Sequence, residues 1–518
     1  MRVIDFFDRG VLLDPNRAFI IDGDRQRTYR EAQVLSHRIA LALLASGYTR
    51  GESASVYSPN DIRAFDCVLG LFRAGGVWVP LNARNAVPEN CYILDNVDVR
   101  VLFYHSSFED NVAVFREKCP KIRQYICLDK PGKAGPWLED FIAGHEGEAP
   151  FFPDNPTDVC ALFGSGGTTG FPKGVIWTNL VFETMAMGML ALMPPKKPPV
   201  HVLAAPMTHA AGGLMMVLMG IGATNVVLPG VKFPDLMQAI EKYKGTYLFL
   251  PPTAIYVMLA QPDVRKYDYS SLEHFLYAAA PMSVDKLREA MDVFGPVMCQ
   301  LYGQAEAPFI CTFFSQQEHV EALHNQGYEH RLYSCGRPSL SVPLEILDDD
   351  GNILPRGEKG EICVRGNLVM PGYYKNEKAT AEVQAPNGWH RTGDIGYQDD
   401  EGWVYIVDRK KDMIISGGFN IYPSEIEQVI WSHASVQDCA VIGVPDEKWG
   451  ESVKAVIELK PGTTATEDEI IALCKAELGS VKAPKTVEFW DQLPRSAVGK
   501  VRKKDIREKF WAGQTRRV

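Results

Sequence analysis

The stretch "VCALFGSGGTTGFPKGV", Val159 to Val175, runs from an apolar segment into a loop of glycines, hydroxyl side chains and one lysine. "VCALFG" predicts a buried strand, because it is apolar up to its final glycine. The loop after it is too rich in glycine and hydroxyls for a core and too compact for a linker. Its glycines let successive backbone N–H groups turn towards one point with no Cβ in the way. Thr168 and Thr169 add hydroxyls and Lys173 adds a cation, so the loop forms a cradle for phosphate oxygens. Taken alone, a glycine cluster reads equally as a tight turn. Two familiar phosphate loops are excluded by spacing. The Walker pattern needs glycine directly before its lysine, where Pro172 stands, and the dinucleotide pattern fails at Thr169.

On both sides of the loop, from Asp5 to about His330, short apolar runs alternate with helical patterns. "ESASVYS", "VRVLFYH", "VHVLAAP", "TNVVLP" and "TYLFLPP" predict buried strands, and "YREAQVLSHRIALALLASG" predicts an amphipathic helix closed by glycine. Such alternation predicts an α/β body with largely parallel sheets. From Ser334 the texture changes. "VPLEILDDDGNILPRGEKGEICVRG" and "HRTGDIGYQDDEGWVYIVDRKKDMIISGG" each read as strand, turn, strand, which predicts a small antiparallel or barrel-like unit over about 334–407. After "DRKKD", Asp408 to Asp412, it changes again. "YPSEIEQVIWSH" starts a helix with Pro423 just before it and a capping box of Ser424 and Glu427. Five consecutive charges before a new α+β unit predict an exposed hinge; the charges alone also fit a solvated turn within one domain. The expected organisation is α/β. A large N-terminal domain of stacked sheets and helices, 1–410, includes the barrel-like unit, and a smaller mobile α+β domain, 411–518, follows.

The chain has 518 residues, 46% hydrophobic and 23% charged, enough for several units with large cores. Its net charge of −10, from 54 Lys and Arg against 64 Asp and Glu, disfavours non-specific nucleic-acid binding. The 11 cysteines are scattered singly, with neither a CxxC pair nor zinc spacing, which reads as reduced, buried thiols and a cytoplasmic location. The start "MRVIDFFDRG" does not read as a signal peptide, nor "TRRV" as an organelle address. Val200 to Val231 carries no charged residue and is long enough to span a membrane on that criterion alone. Pro206, Pro229 and the glycines at 212, 213, 220 and 222 break it instead into strand, loop, Met- and Leu-rich helix, and strand.

"GGTTGFPKG" resembles the signature of the AMP-forming acyl-CoA synthetases. These belong to the adenylate-forming superfamily, with the luciferases and peptide-synthetase adenylation domains. The family form begins Ser-Gly-Thr-Thr-Gly, and Gly166 replaces the serine here. The resemblance implies that Ser165, Gly166, Gly167, Thr168, Thr169, Gly170 and Lys173 hold the ATP phosphates. "LYGQAEA" is similar to the family's Tyr-Gly-x-Thr-Glu segment, with Ala305 replacing a hydroxyl that contacts the α-phosphate. It implies that Tyr302 stacks on adenine, that Gly303, Gln304 and Ala305 border the nucleotide, and that Glu306 holds Mg²⁺. "YAAAPMS" looks like the stretch beside adenine and the acyl group, implying Ala279, Ala280 and Pro281. "RTGDIG" implies Asp394 on the ribose hydroxyls, and "DRKKD" implies Arg409 near the ribose with Lys411 at the hinge pivot. "LPRSAVGKVRK" implies Lys500 as the adenylation lysine. The segments occur in the family's order, and the specificity lies in the set.

The activity implied is an ATP-dependent carboxylate–CoA ligase. Acid and ATP give acyl-AMP and pyrophosphate, and coenzyme A then takes the acyl group and releases AMP. The first step brings two anions together, so their charge has to be neutralised by Mg²⁺ on Glu306, the cradle's N–H groups and Lys500. The family runs its half-reactions in two orientations of the C-terminal domain, with Gly417 and Gly418 of "ISGGFN" admitting the pantetheine arm in the second. A bare Gly-Gly pair also reads as a strand-end turn. His209 in "PMTHAAGG" stands with Lys500 and Glu306 as a candidate at the reacting centre, as a gate for the carboxylate or as packing, with no proton transfer assigned. Met207, Ala210, Ala211, Met215, Ala278–Ala280 and Ala307 are uncharged and mostly small, which predicts an apolar fatty or aryl acid. Residues 481–518 carry 11 Lys and Arg against four Asp and Glu, a surface that attracts anionic coenzyme A or simply a solvated face. The expected ligands are ATP, Mg²⁺, coenzyme A and a small carboxylic acid, with no nucleic acid and no membrane span; a homodimer is left open. Two other readings compete. One is an adenylating enzyme that loads a carrier protein. The other is a non-catalytic relative, favoured by Gly166 and Ala305 and opposed by Glu306, Asp394 and Lys500.

Overall fold

The computed structural model describes residues 1–518 except 166–171, 209, 281, 447, 497–500 and 512–518. The described residues pack into two compact units, Met1–Pro343 with Val364–Glu382, and Leu344–Cys363 with Val383–Val518.

The first unit is α/β, built on two sheets. The six-stranded sheet runs Gln124–Cys127, Val99–Tyr104, Ser53–Tyr57, Val77–Pro80, Val159–Gly164, Gly174–Thr178. Its pairs are parallel except the last, the hairpin that carries the glycine loop. Parallel strands are covered on both faces, so their sequences are apolar throughout rather than alternating. Ser53–Tyr57 is buried at every position, and Tyr57, Val79, Leu102 and Leu162 share one core. The nine-stranded sheet is parallel in its middle, through Met298–Gln304, His274–Tyr277, Tyr247–Phe249, Val200–Leu203, Thr224–Val227 and Ala18–Asp22. Antiparallel strands close both of its edges. Each apolar run expected as a strand is one, and the helix expected after Thr28 spans Tyr29–Ala45. The uncharged stretch 200–231 holds two short strands around the helix Ala210–Leu218, and no described helix is long and apolar enough to cross a membrane.

The second unit pairs a five-stranded sheet, Leu344–Leu347, Gly360–Val364, Trp389–Gln398, Gln384–Ala385 and Val404–Arg409, with an α+β part. In the latter, the long antiparallel pair Val436–Asp446 and Gly450–Leu459 packs Val441 and Ile457 against Ile426 and Ile430 of the helix Pro423–Trp431. Burying each such side chain stabilises the unit by roughly 1.5–3 kcal/mol. This grouping is one of packing; the expected division at Asp408–Asp412 is one of motion and stands as a proposal below.

Two local expectations are corrected. Ser424 is not a helix cap, because the helix starts at Pro423 with Tyr422 before it. Its N–H donates to Asp408 and its hydroxyl bonds the Val407 carbonyl, while Glu427 turns inward to Lys503. The "DRKKD" run is not uniformly exposed either. Asp408 is buried, only Arg409 is exposed, and Lys410–Asp412 are partly covered in a short 3₁₀ turn. Of the 11 cysteines, all unpaired, only Cys91 is not fully buried.

Candidate active site

Ligands of parallel sheets gather where the strands point their carboxyl ends. In the nine-stranded sheet, His274–Tyr277 leads into Ala279 and Ala280, and Met298–Gln304 leads into Ala305 and Glu306. Ala279 takes φ +76, a left-handed conformation costly for a residue with a Cβ, and it is exposed. Ala305 and Glu306 form the two-residue tip of the hairpin between Met298–Gln304 and Ala307–Phe314. A register shift beside Gly303 brings the strands so close that a Cβ there would lie 2.5 Å from the Phe309 nitrogen. Glycine at 303 therefore has a packing reason. Tyr302, one residue earlier, is buried.

The glycine loop leaves the other sheet at a narrow neck. Ser165 N–H donates to the Lys173 carbonyl (2.8 Å), and Lys173 N–H donates back to the Ser165 hydroxyl (2.9 Å). The Ser165 hydroxyl oxygen thus accepts a backbone bond at the neck, and its assignment to phosphate stands as a proposal. From this neck Lys173 Nζ sits 4.7 Å from the centre of the Tyr373 ring. The Tyr373 hydroxyl in turn donates to Glu306 Oε1 at 2.8 Å. Glu306 is buried, and its backbone is held on both sides. The Trp177 indole N–H donates to the Ala305 carbonyl and Met370 N–H to the Glu306 carbonyl, each at 2.8 Å. Burial, with the Glu306 carboxylate beside it, raises the Tyr373 phenol far above its usual range, so it stays a donor. Lys173, Tyr373 and Glu306 form one chain of groups linking the two sheets of this unit.

In the second unit Asp394 lies opposite Arg409 in the pair Trp389–Gln398 and Val404–Arg409. Asp394 is buried, Arg409 Nε lies 2.7 Å from its Oδ1, and its N–H donates to the Thr392 hydroxyl. Burial lowers the Lys411 ammonium, against the pull of the Asp412 carboxylate. Gly417 and Gly418 are the turn between Ile414–Ser416 and Phe419–Ile421, at φ +57 and +82. Two successive positive φ values define the tight hairpin turn whose twist matches its strands. A Cβ on Gly417 would lie 2.6 Å from the Trp449 ring. The helix Lys503–Glu508 adds a partly buried charge cluster absent from the sequence expectations. Lys503 Nζ lies 2.8 Å from Glu427 Oε1, and Arg507 lies 2.6 Å from Asp412. Burial works to lower the Lys503 ammonium, but the carboxylates of Glu427, Asp408 and Asp412 outweigh it and hold it above the ordinary lysine range.

Gly166, Gly167, Thr168, Thr169, Gly170, His209, Pro281 and Lys500 lie outside the described residues. Tyr373 was not expected from sequence. It sits 67 residues beyond Glu306, and only the Pro-Gly turn before "YY" marks the place. Among the described residues no three His, Cys, Asp or Glu gather as a metal cluster. A single buried carboxylate of this kind fits Mg²⁺, an oxygen-seeking ion that keeps water and phosphate as most of its ligands.

A family model described as AMP-binding enzyme matches residues 7–374, and one described as AMP-binding enzyme C-terminal domain matches 425–500. The medium/long-chain-fatty-acid–CoA ligase FadD8 of Mycobacterium tuberculosis is 39% identical over 518 residues, which cover 97% of this chain and 89% of that one. Feruloyl-CoA synthase of an Amycolatopsis species is 32% identical over 504 residues, covering 97% and 98%. The crystal structure of ATP-bound MatB from Rhodopseudomonas palustris is similar with a TM-score of 0.88 at 27% identity, covering 98% of this chain and 99% of that one.

Proposed function

The chain belongs to the AMP-binding enzyme family, and from that premise we propose that it joins an apolar carboxylic acid to coenzyme A through an acyl-adenylate. A carboxylate oxygen attacks the α-phosphorus of ATP, the bond to the β-phosphate oxygen breaks, and pyrophosphate leaves. The sulfur of coenzyme A then attacks the acyl carbon, the bond to the AMP oxygen breaks, and the thiol proton passes to solvent. The observation that carries this reading is the buried Glu306 beside the Lys173–Tyr373 pair, at the carboxyl edge that also presents Ala279 and Tyr302. Mg²⁺, when bound, neutralises phosphate oxygens as charge shifts between them. Glu306 would hold it; Lys173 and the loop N–H groups would hold phosphate; Asp394 and Arg409 would hold the ribose. Lys500 would bridge the carboxylate and the α-phosphate, a task suited to a flexible point charge. Gly417 and Gly418 would pass the pantetheine arm after a movement about Lys411, while His209 would flank the acyl group. Relatives named for a medium- or long-chain fatty acid and for an aryl acid support an apolar substrate of either class.

The test is AMP release from ATP and Mg²⁺ over a panel of fatty and aryl acids, with and without coenzyme A. AMP accumulating with one acid class only when coenzyme A is present supports the ligase and names the class. Adenylate that forms but is never discharged by coenzyme A transfers the second step to a carrier protein. No turnover with any acid counts against the reading.

A further inference from the structure

We propose that the Tyr373 phenol holds Glu306 as a one-oxygen ligand and so makes this site prefer Mg²⁺ to Ca²⁺. The inference rests on the function proposed above, because it needs a cation on Glu306. Tyr373 is then a positioning residue, acting on the metal through the carboxylate.

The geometry argues for it in two steps. First, the phenol is fixed. Its backbone bridges to Val175 beside the glycine loop, its N–H donates to the Thr380 hydroxyl at 2.9 Å, and Lys173 Nζ stands 4.7 Å from the ring centre. Glu306 is equally constrained by the Trp177 indole on Ala305 and by the Met370 N–H on its own carbonyl. Second, the 2.8 Å hydrogen bond takes one lone-pair direction of Oε1 and orients the carboxylate, so that Oε2 is the oxygen with more left to give a cation. Mg²⁺ is small, demands octahedral geometry and takes one oxygen from a carboxylate. Ca²⁺ is larger and gains from taking both. A carboxylate with one oxygen already hydrogen-bonded gives Ca²⁺ less of the two-oxygen contact it gains from, and costs Mg²⁺ nothing.

The experiment measures equilibrium binding of ATP to the full chain by calorimetry, with MgCl₂ or CaCl₂ present. Tyr373→Phe removes only the hydroxyl and keeps the ring under Lys173. The expected result is about tenfold weaker Mg²⁺-supported ATP binding, the size typical when a ligand's hydrogen-bond partner is lost, with Ca²⁺-supported binding unchanged or tighter. Equal weakening with both ions, or no change with Mg²⁺, overturns the inference, since a merely structural role moves both alike. Should Tyr373→Phe not fold, Glu306→Asp withdraws the carboxylate from the phenol at the other end and is read by the same ratio. Glu306→Gln separates the two levels. If ATP binding keeps its full dependence on Mg²⁺ in that variant, the assignment of the metal to Glu306 falls, and the functional reading with it. If Glu306→Gln loses the dependence while Tyr373→Phe keeps the wild-type ion ratio, only the present inference falls.

Discussion

In the proposed reaction Lys500 and Glu306 would answer the same problem, the meeting of two anions, with opposite charges of their own. Lys500→Ala is expected to slow adenylation by at least about a hundredfold, the size typical of losing one preorganised charge at a transition state. Thioester formation from supplied acyl-adenylate should stay near wild type. Pyrophosphate exchange and direct thiolysis measure the two steps separately, and equal losses in both would reassign the lysine. A second expectation concerns three buried imidazoles. Burial lowers His201, His319 and His390 from 6.5 to about 4. His319 gives its Nδ1 proton to the Ser315 carbonyl, so its Nε2 accepts from the Tyr277 hydroxyl at 2.8 Å, an arrangement only the neutral ring fits. The unfolded chain binds these protons first, so stability is complete above about pH 6.5 and falls as pH drops towards 4, by up to about 3 kcal/mol for each ring. His319→Gln should flatten that acid limb in denaturant titrations run between pH 4 and 7. Glu306 was legible because its neighbours form a motif. Tyr373 was not, because a hydrogen bond across 67 residues leaves no trace in local spacing.

The helix Pro423–Trp431 shows how packing overrides a local signal. Ser424 and Glu427 have the spacing of a cap, yet the serine is spent on Val407 and Asp408 and the glutamate on Lys503. Short-range pattern reports what a helix end is able to do alone; here the neighbouring strand and the helix Lys503–Glu508 compete for the same groups and win. The glycine pair at 417 and 418 was legible as a turn, and its positive φ values confirm that reading while its role towards coenzyme A remains the proposal above. The cluster around Lys503 leads to a stability expectation. Lys503→Met leaves Glu427 and Asp408 buried without their cation and should cost about 3–5 kcal/mol in urea unfolding. Adding Glu427→Gln should recover part of that loss, because it removes the stranded charge. If the double variant is no more stable than the single one, the ion pair is not the source of the effect.

Across the whole chain, the sheets were the most readable feature, since strands covered on both faces are continuous apolar runs such as "SASVY" and "VRVLFY". The sheet within about 334–407 was readable as well, from its two strand–turn–strand stretches; that it packs in one unit with the residues after it was not, because no local pattern marks that contact. For the proposed movement about Lys411, Lys411→Pro is expected to impair thioester formation more than adenylation, since proline fixes φ and removes a donor within the turn. Comparable losses in both steps would count against two working orientations. One feature of the fold also equips the protein for measurement. Cysteines are buried in both units, Cys160 and Cys299 in the first and Cys439 and Cys474 in the second. A thiol-reactive dye has to wait for each unit to open before it reacts, so the order in which these sulfurs are labelled is a clock. It times the breathing of the two units separately, with no engineered probe.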